Sequence, residues 1–307
     1  MALNKVCLVG GNGNLGTVLL DGLVNAGDFT VSVAKRASSK SSPSHASTTT
    51  RITIPDDMSV AGLTEALRGQ DVVIASFPLA DVNQHLRLVE AASLAGVKRF
   101  VPADFGSCDA ASPNARRLLK LYRDKDLVRQ KCEETAAANP SFSWTALVCG
   151  HFFDYGVHDG LLHFDLAAKT ADILDDGSAR ASASTLRRVA EATVAALRRP
   201  EPTRNRTLYV QSFCVSQPEV LAALERATGG TPWTQRTVDS KAFVEDASRR
   251  LEANYTKHAM EEIVFVLGAL EADWTKEEGF AMELLGLEDE DLDQVVAEVV
   301  AGMGKQH

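Results

Sequence analysis

The first half of the chain alternates short apolar runs with longer segments in which apolar residues recur every three or four positions. Short apolar runs bounded by turn residues are typical of buried strands, and the longer segments have the period of amphipathic helices. The strands predicted in this way span residues 5–9, 30–34, 51–54, 71–76, 98–101 and 143–148. The predicted helices span residues 15–26, 60–67, 83–95 and 114–138. This order predicts an α/β fold of the Rossmann type, with a doubly wound parallel sheet.

The second half has a less regular pattern, beginning with an irregular stretch after Gly150. The elements predicted beyond that stretch are a helix at 186–197, a strand at 207–211 and a helix that opens with the capping-box sequence Ser216-Gln-Pro-Glu219 and ends at Thr228. We expect a dinucleotide-binding Rossmann domain at 1–155 and a smaller, mostly helical substrate-binding lobe at 156–307. The helix at 185–198 is expected to pack back on the sheet of the first domain.

A glycine-rich turn joins the first predicted strand to the first predicted helix. Gly10 allows a tight turn off the strand, Gly13 lets the backbone approach a pyrophosphate, and Gly16 lets the helix lie close to the sheet. Backbone N–H groups at the start of the helix, around Asn14 and Leu15, then bind the phosphates with the helix dipole behind them. The turn therefore predicts a dinucleotide site.

The end of the second strand indicates which dinucleotide binds. That strand ends in Lys35-Arg36, with no acidic residue nearby in the sequence. A carboxylate would repel a ribose phosphate, whereas a guanidinium can bind one through two parallel hydrogen bonds. We therefore predict NADPH rather than NADH, with Arg36 as the main contact and Lys35, Ser38 and Lys40 as helpers. The alternative is a solvated basic pair after a strand.

Composition narrows the class of protein. The chain has 307 residues, 45% of them hydrophobic and 24% charged, as in ordinary globular proteins, and a net charge of −9 that argues against nucleic-acid binding. No apolar run reaches membrane-spanning length, and the N-terminus enters a strand without a signal peptide, so we expect a cytoplasmic protein. The five scattered cysteines are expected to be reduced thiols, and no histidine spacing predicts a metal site. The Ser/Thr-rich segment 37–50 is expected to form a mobile surface loop beside the phosphate site.

The tyrosines do not match the pattern of common short-chain reductases, in which lysine follows the catalytic tyrosine by four positions. The residues four positions after Tyr122, Tyr155, Tyr209 and Tyr255 are Asp126, Asp159, Phe213 and Ala259. Lys125 follows Tyr122 by three positions, one too few. The usual Tyr/Lys pair is therefore absent from the sequence.

Several motifs together resemble those of the atypical short-chain dehydrogenases. They are Gly-Gly-Asn-Gly-Asn-Leu-Gly at 10–16, Arg36, Lys-Arg-Phe-Val-Pro-Ala-Asp-Phe-Gly at 98–106, Lys125 within Tyr-Arg-Asp-Lys-Asp-Leu-Val-Arg at 122–129, and Ser-Trp-Thr-Ala-Leu-Val-Cys-Gly-His-Phe-Phe at 143–153. The chain is similar to the group of isoflavone, pinoresinol–lariciresinol and phenylcoumaran benzylic ether reductases and to its NmrA-like relatives in fungi. The resemblance implies that Lys125 is the catalytic acid/base, beside the nicotinamide ring.

The role of Lys125 has an alternative. The helix that carries it also carries Arg116, Arg117, Lys120 and Arg123, and Lys125 can be one more charge on that exposed face. Reduction of a polarised double bond, or opening of a benzylic ether, adds hydride to carbon and needs a proton elsewhere. A partly desolvated lysine beside the cofactor can exchange that proton because its pKa is lowered.

Residues at the ends of the fourth and fifth strands are further candidates for cofactor binding. Ser76 and Phe77 follow the fourth strand, at the sheet edge where the riboses of a dinucleotide lie. Phe105 follows the fifth strand, near the expected nicotinamide position, where it can pack on cofactor or substrate. The neighbouring Asp104 is equally well interpreted as the cap of a helix or turn.

Aromatic residues after the sixth strand are candidates for substrate binding. His151, Phe152, Phe153 and Tyr155 can line an aromatic pocket, although core packing is the alternative for the two phenylalanines. The resemblance then implies an NADPH-dependent reductase, monomeric or homodimeric, that acts on an aromatic or phenolic molecule carrying a polarised C=C bond, a carbonyl or a benzylic ether. The alternatives are an NmrA-like regulator that senses the dinucleotide without turnover, and a quinone reductase in which Lys125 is dispensable.

Overall fold

Strands and helices alternate through the first half of the computed structural model, which describes residues 3–40, 45 and 47–303. The elements are β1 (Lys5–Val9), α1 (Asn14–Ala26), β2 (Thr30–Arg36), β3 (Thr50–Ile54), α2 (Val60–Leu67), β4 (Val72–Ala75), α3 (Val82–Leu94), β5 (Arg99–Val101), α4 (Pro113–Leu118), α5 (Lys120–Ala138) and β6 (Thr145–Val148). The first five strands form a parallel sheet in the order β3-β2-β1-β4-β5. The predicted doubly wound α/β fold is confirmed.

The second half combines helices with short strands. Its elements are β7 (His151–Phe152), α6 (Phe153–His158), β8 (Phe164–Asp165), β9 (Thr170–Leu174), β10 (Arg180–Ser184), α7 (Leu186–Arg198), β11 (Arg206–Tyr209), β12 (Phe213–Ser216), α8 (Gln217–Ala227), β13 (Thr234–Val238), α9 (Ser240–Ala253), α10 (Lys257–Leu270), a 3₁₀ turn at Trp274–Lys276, α11 (Met282–Leu285) and α12 (Leu292–Met303). The predicted capping box is confirmed, since Ser216 and Glu219 cap α8 reciprocally. Within residues 3–40, 45 and 47–303, no helix is both long and apolar enough to cross a membrane.

The chain returns to the first sheet after leaving it. A bridge between Phe100 and Trp144 places β6 beside β5, and β11 pairs in parallel with β6. Helix α7 packs against α1, and Val189 of α7 shares one core cluster with Leu19 and Leu23 of α1. A domain boundary at residue 155 stays a prediction. The segment 186–209 lies beyond that boundary, but its helix α7 and strand β11 pack with the elements of the first sheet.

The helix predicted over 114–138 is interrupted, which corrects that prediction. Leu119 has extended backbone angles (φ −127°, ψ 130°) between α4 and α5, and its side chain is buried. Arg123 Nη1 donates a hydrogen bond of 2.5 Å to the Arg116 carbonyl, one of the carbonyls left without a helical partner at the end of α4. No glycine or proline marks the break in the sequence; the feature that accompanies it is the buried side chain of Leu119. The break sets the rotation of α5 independently of α4.

Candidate active site

The glycine turn between β1 and α1 is built by close backbone contacts. Gly10 has φ of 99°, and a Cβ atom there would lie 2.8 Å from the backbone of Ser76 and Phe77 at the end of β4. A Cβ atom on Gly16 would lie 2.0 Å from the Gly10 carbonyl oxygen. Larger residues at either position would push the turn off the sheet. The two glycines therefore hold the start of α1 against the ends of β1 and β4.

The start of α1 is suited to an anion. Gly13 is the N-cap residue and has no side chain to cap the helix, and the first turn contains no acidic residue. The N–H groups that begin the helix, with Asn14 and Leu15 in the first turn, thus face outward with the positive end of the helix dipole. A Cβ atom on Gly13 would approach no described atom closer than 3.9 Å, so this side of the turn is open. The arrangement fits a pyrophosphate.

A cavity of about 340 Å³ extends from this turn along the sheet edge. Arg36 and Ser38 line one side of it, and Ser76 and Phe77 line the other. The Ser76 hydroxyl donates to the Gly10 carbonyl (3.2 Å), so it also fixes the glycine turn. The Phe77 ring stacks on His85 with 4.0 Å between ring centroids. The structure thus brings these four predicted residues together with the glycine turn.

Arg36 is exposed at the end of β2 and is oriented by Gln84, whose Oε1 accepts a hydrogen bond of 2.9 Å from Nη2. Lys35 also lines the cavity, but its side chain is buried, and burial followed by the charge of Arg51 lowers its pKa. Lys40 is exposed and outside the set of residues that line the cavity. Arg36 is therefore the exposed cation at the cavity wall.

An acidic residue that the sequence analysis missed lies beside Arg36. Asp56 Oδ1 accepts hydrogen bonds from both the hydroxyl (2.7 Å) and the backbone N–H (3.1 Å) of Ser38. These bonds hold the pKa of Asp56 below its usual value. Asp56 is distant from Arg36 in the sequence but close in space, because β3 pairs with β2 and aligns Ile54 with Arg36. The sequence signal for this contact is the position of Asp56 just after β3, the strand that runs parallel to β2.

A second cavity, of about 210 Å³, contains most of the other predicted residues. Phe105, Lys125, His151, Phe152 and Tyr155 all line it. The structure thus brings a lysine amine together with aromatic walls from the β5–α4 loop, β7 and α6. We refer to this space as the Lys125 cavity.

Phe153 lies apart from the Lys125 cavity, which corrects its assignment as a substrate residue. Its side chain is buried, with 1% exposure, and packs edge-on against Phe213 with 4.9 Å between ring centroids. Phe152 and Phe153 are adjacent at the junction of β7 and α6, so their side chains point in different directions. Core packing, the alternative considered for both, describes Phe153.

Lys125 lies on the inner side of α5. Its side chain is half-buried, whereas Arg117, Lys120 and Arg123 are exposed, so the interpretation as one more exposed charge does not describe it. Nζ lies 5.5 Å from the centroid of the Tyr122 ring. Burial lowers the pKa of Lys125, and the charge of Asp104 opposes that effect only in part. The result is an amine that releases its proton more readily than an exposed lysine does.

Behind Lys125 lies a buried ion pair that sequence reasoning missed. Arg129, one turn along α5, binds Asp104 through Nε (3.1 Å) and Nη2, and it binds Asp109 through Nη1 (2.7 Å). Tyr209 of β11 donates a hydrogen bond of 2.7 Å to Asp109. Burial alone would raise the pKa of Asp109, but Arg129 and the hydrogen bonds outweigh it and lower the pKa. Asp104 is therefore half of an ion pair rather than a helix or turn cap.

His151 forms a neutral wall of the Lys125 cavity. Its Nε2 lies 3.1 Å from the Phe265 carbonyl, to which it donates when that nitrogen carries the proton. Burial lowers the pKa of His151 to about 4, so the imidazole is uncharged at neutral pH. Gly268 leaves room for this ring, since a Cβ atom there would lie 2.5 Å from it. His151 thus shapes the cavity wall, with its Nε2 directed at the Phe265 carbonyl of α10.

Comparison with known proteins identifies relatives along the whole chain. A sequence model of the NmrA-like family matches residues 3–288. The oxidoreductase aprR of Aspergillus flavus is 35% identical over 97% of this chain and 99% of its own length. The oxidoreductase poxI of Penicillium oxalicum is 28% identical over 94% of this chain and 91% of its own length.

Among solved structures, AtPrR2 with NADP+ and (+)-pinoresinol superposes with a TM-score of 0.75 at 19% identity, covering 97% of this chain and 99% of that one. At this identity the likeness to AtPrR2 shows a shared fold. The family model covers nearly all of the described residues, and the resemblance inferred from the motifs is confirmed. The chain belongs to the NmrA-like family.

Proposed function

We propose that this protein is an NADPH-dependent reductase of an aromatic or phenolic small molecule that carries a polarised C=C bond, a carbonyl or a benzylic ether. The observation that carries the proposal is Lys125, a half-buried amine with a lowered pKa that lines an aromatic cavity. The names of the relatives support the reaction class, since two fungal relatives are oxidoreductases. AtPrR2, which shares the fold, was solved with NADP+ and an aromatic ligand.

The residues around the first cavity fit NADPH. Gly10, Gly13, Asn14, Leu15 and Gly16 would hold the pyrophosphate, because the turn is open there and the start of α1 lacks a cap. Arg36 would hold the ribose phosphate, with Ser38 held beside it by Asp56, and Ser76 and Phe77 would contact the riboses. Phe105 would lie between the cofactor and the Lys125 cavity that it lines. When bound, NADPH supplies the hydride.

Lys125 would supply the proton. Hydride addition to a carbon of the substrate moves an electron pair onto oxygen, and the ammonium of Lys125 gives its proton to the product. The neutral amine then regains a proton from water. A lowered pKa makes this exchange easier near neutral pH than for an ordinary lysine. The aromatic side chains of the cavity would orient the flat ring of the substrate.

The test is NADPH consumption by wild type, Lys125→Ala and the control Lys120→Ala, against isoflavones, enones, benzylic ethers and quinones. Lys120 lies on the same helix but is exposed and paired with Asp124, so its loss should leave turnover unchanged. NADPH binding by each protein is measured first. Lys125→Ala is expected to bind NADPH and to lose at least about 100-fold in turnover.

Other outcomes have distinct meanings. Turnover of quinones alone, with no effect of Lys125→Ala, would replace the proposal with a quinone reductase. NADPH binding without turnover of any compound would favour a regulator that senses the dinucleotide through a protein partner.

A further inference from the structure

Two hydroxyl groups meet beside Lys125 in the same cavity. The Ser107 and Tyr122 hydroxyl oxygens are 2.7 Å apart, and both residues line the Lys125 cavity. The Tyr122 ring lies 5.5 Å from Lys125 Nζ. In sequence, Tyr122 is one position too close to Lys125 for the usual Tyr/Lys pair. The structure nevertheless groups a serine, a tyrosine and a lysine around one space.

The surroundings of Tyr122 keep its phenol protonated, so it can donate the hydrogen bond to Ser107. Tyr122 is 1% exposed, and its burial raises the pKa of the phenol well above the usual value. The Cys108 thiol lies beside the phenol, and burial raises the pKa of that thiol to about 12. Both groups therefore keep their protons at neutral pH. A neutral Tyr122 that donates to Ser107 leaves the proton of Ser107 for an acceptor in the cavity.

Backbone conformation and backbone contacts constrain the loop that carries Ser107. Phe105 has φ of 39°, which is rare for a residue with a side chain. A Cβ atom on Gly106 would lie 2.4 Å from the Cys108 carbonyl oxygen, and the Gly106 carbonyl accepts a hydrogen bond of 3.0 Å from the Cys149 N–H. The backbone thus holds Ser107 in one position, while Tyr122 holds its hydroxyl. Such preorganisation is what a donor to a developing negative charge needs.

We propose that Ser107 is a second substrate-contacting residue, whose hydroxyl donates a hydrogen bond to a carbonyl oxygen conjugated with the reacting double bond, and that Tyr122 is its positioning residue. This inference rests on the proposed function and narrows it to aryl enones. An sp² carbonyl oxygen has two lone pairs and accepts from Ser107 and Lys125 together. When a benzylic ether opens, the charged oxygen moves away from the reacting carbon with the leaving group. Two donors fixed by the protein are less well suited to an oxygen that moves.

The electrons balance in this scheme. Hydride adds to the carbon β to the carbonyl, the C=C electron pair forms a new double bond to the carbonyl carbon, and the C=O electron pair moves to oxygen. Ser107 stabilises the enolate oxygen without losing its proton. Lys125 protonates the enolate oxygen and then regains a proton from water. The resulting enol tautomerises to the saturated ketone, taking a proton from water at the α-carbon and returning one from oxygen.

The size of the cavity guides the choice of probe. Its volume of about 210 Å³ is somewhat larger than the roughly 150 Å³ cavity that holds benzene in another protein. A substrate with one aromatic ring and a short enone side chain therefore suits it. The probe is benzalacetone, compared with a benzylic phenyl ether that lacks a carbonyl.

The experiment measures kcat/KM for benzalacetone with saturating NADPH, in a double-mutant cycle of Ser107→Ala and Tyr122→Phe. Ser107→Ala is expected to lower kcat/KM by about 10- to 100-fold, and Tyr122→Phe by about 3- to 10-fold. The double variant should match Ser107→Ala within about twofold, because Tyr122 acts through Ser107. Ser107→Thr, which keeps the hydroxyl, should recover most of the activity. Tyr255→Phe, at an exposed tyrosine, is the matched control.

Each contrary result has one meaning. Full activity of Ser107→Ala, or losses that simply add in the double variant, would overturn the inference while the reductase stands. Turnover of the benzylic ether but not of benzalacetone by wild type would do the same. Absence of turnover of either probe and of every other compound tested would overturn the proposed function and this inference together.

Discussion

Arg36→Ala is expected to reduce the preference for NADPH over NADH. The guanidinium lies at the wall of the first cavity, and its contact with Gln84 uses one N–H of Nη2. The remaining donors can form two parallel hydrogen bonds with a phosphate. NADH has no phosphate at this ribose, so it loses none of these bonds in the variant.

The size of the effect follows from the position of Arg36. A hydrogen bond that involves a charged group contributes about 1.5–3 kcal/mol where it is well buried. Arg36 is exposed, so we assign about 1.5–3 kcal/mol to the two bonds together. The ratio of kcat/KM for NADPH to that for NADH should therefore fall by about 10- to 150-fold. Asp56 remains beside the site and can accept a ribose hydroxyl, so kcat/KM for NADH is expected to hold or rise.

The assay measures kcat/KM for both cofactors at a saturating concentration of one reducible compound, supported by dissociation constants from quenching of protein fluorescence. Arg68→Ala is the matched control, because Arg68 is an exposed arginine of the α2 C-cap that pairs with Glu65. An unchanged cofactor ratio in Arg36→Ala, or an equal fall for both cofactors, would refute the assignment of Arg36 to the ribose phosphate.

Three further predictions concern the glycine turn, the ion pair and the lysine. Gly16→Ala should weaken NADPH binding at least about tenfold in a fluorescence titration, because its Cβ atom would overlap the Gly10 carbonyl; unchanged binding would contradict the tight turn. Arg129→Met should lower the free energy of unfolding in urea by about 3–5 kcal/mol, because it leaves buried carboxylates uncompensated, and adding Asp104→Asn should restore part of the loss. Turnover should fall as pH rises through the Lys125 pKa, because the protonated amine is the proton donor. Since that pKa is lowered, turnover should fall at a lower pH than it would with an ordinary lysine. The pH profile of Lys125→Ala should lack this fall.

The sheet and the glycine turn could be predicted from sequence because their signals are local. β1 and α2 have the predicted bounds, since alternation of apolar runs and the positions of turn residues determine them. The same holds for Gly10 and Gly16, whose steric roles follow from their place between strand and helix. Arg36 could be singled out because it ends a strand that neighbours the turn.

The features that shape the two cavities depend on contacts between residues that are distant in the sequence. Asp104 and Arg129 are 25 positions apart, and their pairing requires the orientation of α5, which follows from the unmarked break at Leu119. Asp56 reaches Ser38 through strand pairing, 18 positions along the chain. Phe152 and Phe153 are the same residue type at adjacent positions, so the sequence does not indicate which of them faces the cavity. The packing of the core determines it. Periodicity and motif spacing contain no information on such pairings.

The buried thiols have a consequence for the chemical durability of the protein. Aryl enones and quinones are electrophiles that alkylate cysteine thiolates, and the thiol form reacts far more slowly. Burial raises the pKa of Cys7 and Cys108 to about 12 and raises that of Cys132 and Cys149 further, so all four stay protonated at neutral pH. An enzyme of this kind can hold a reactive acceptor beside Cys108 without becoming its target. Burial and the charge of Asp273 raise the pKa of the Cys214 thiol as well, but this side chain is partly exposed, so covalent damage should begin there during prolonged contact with such compounds.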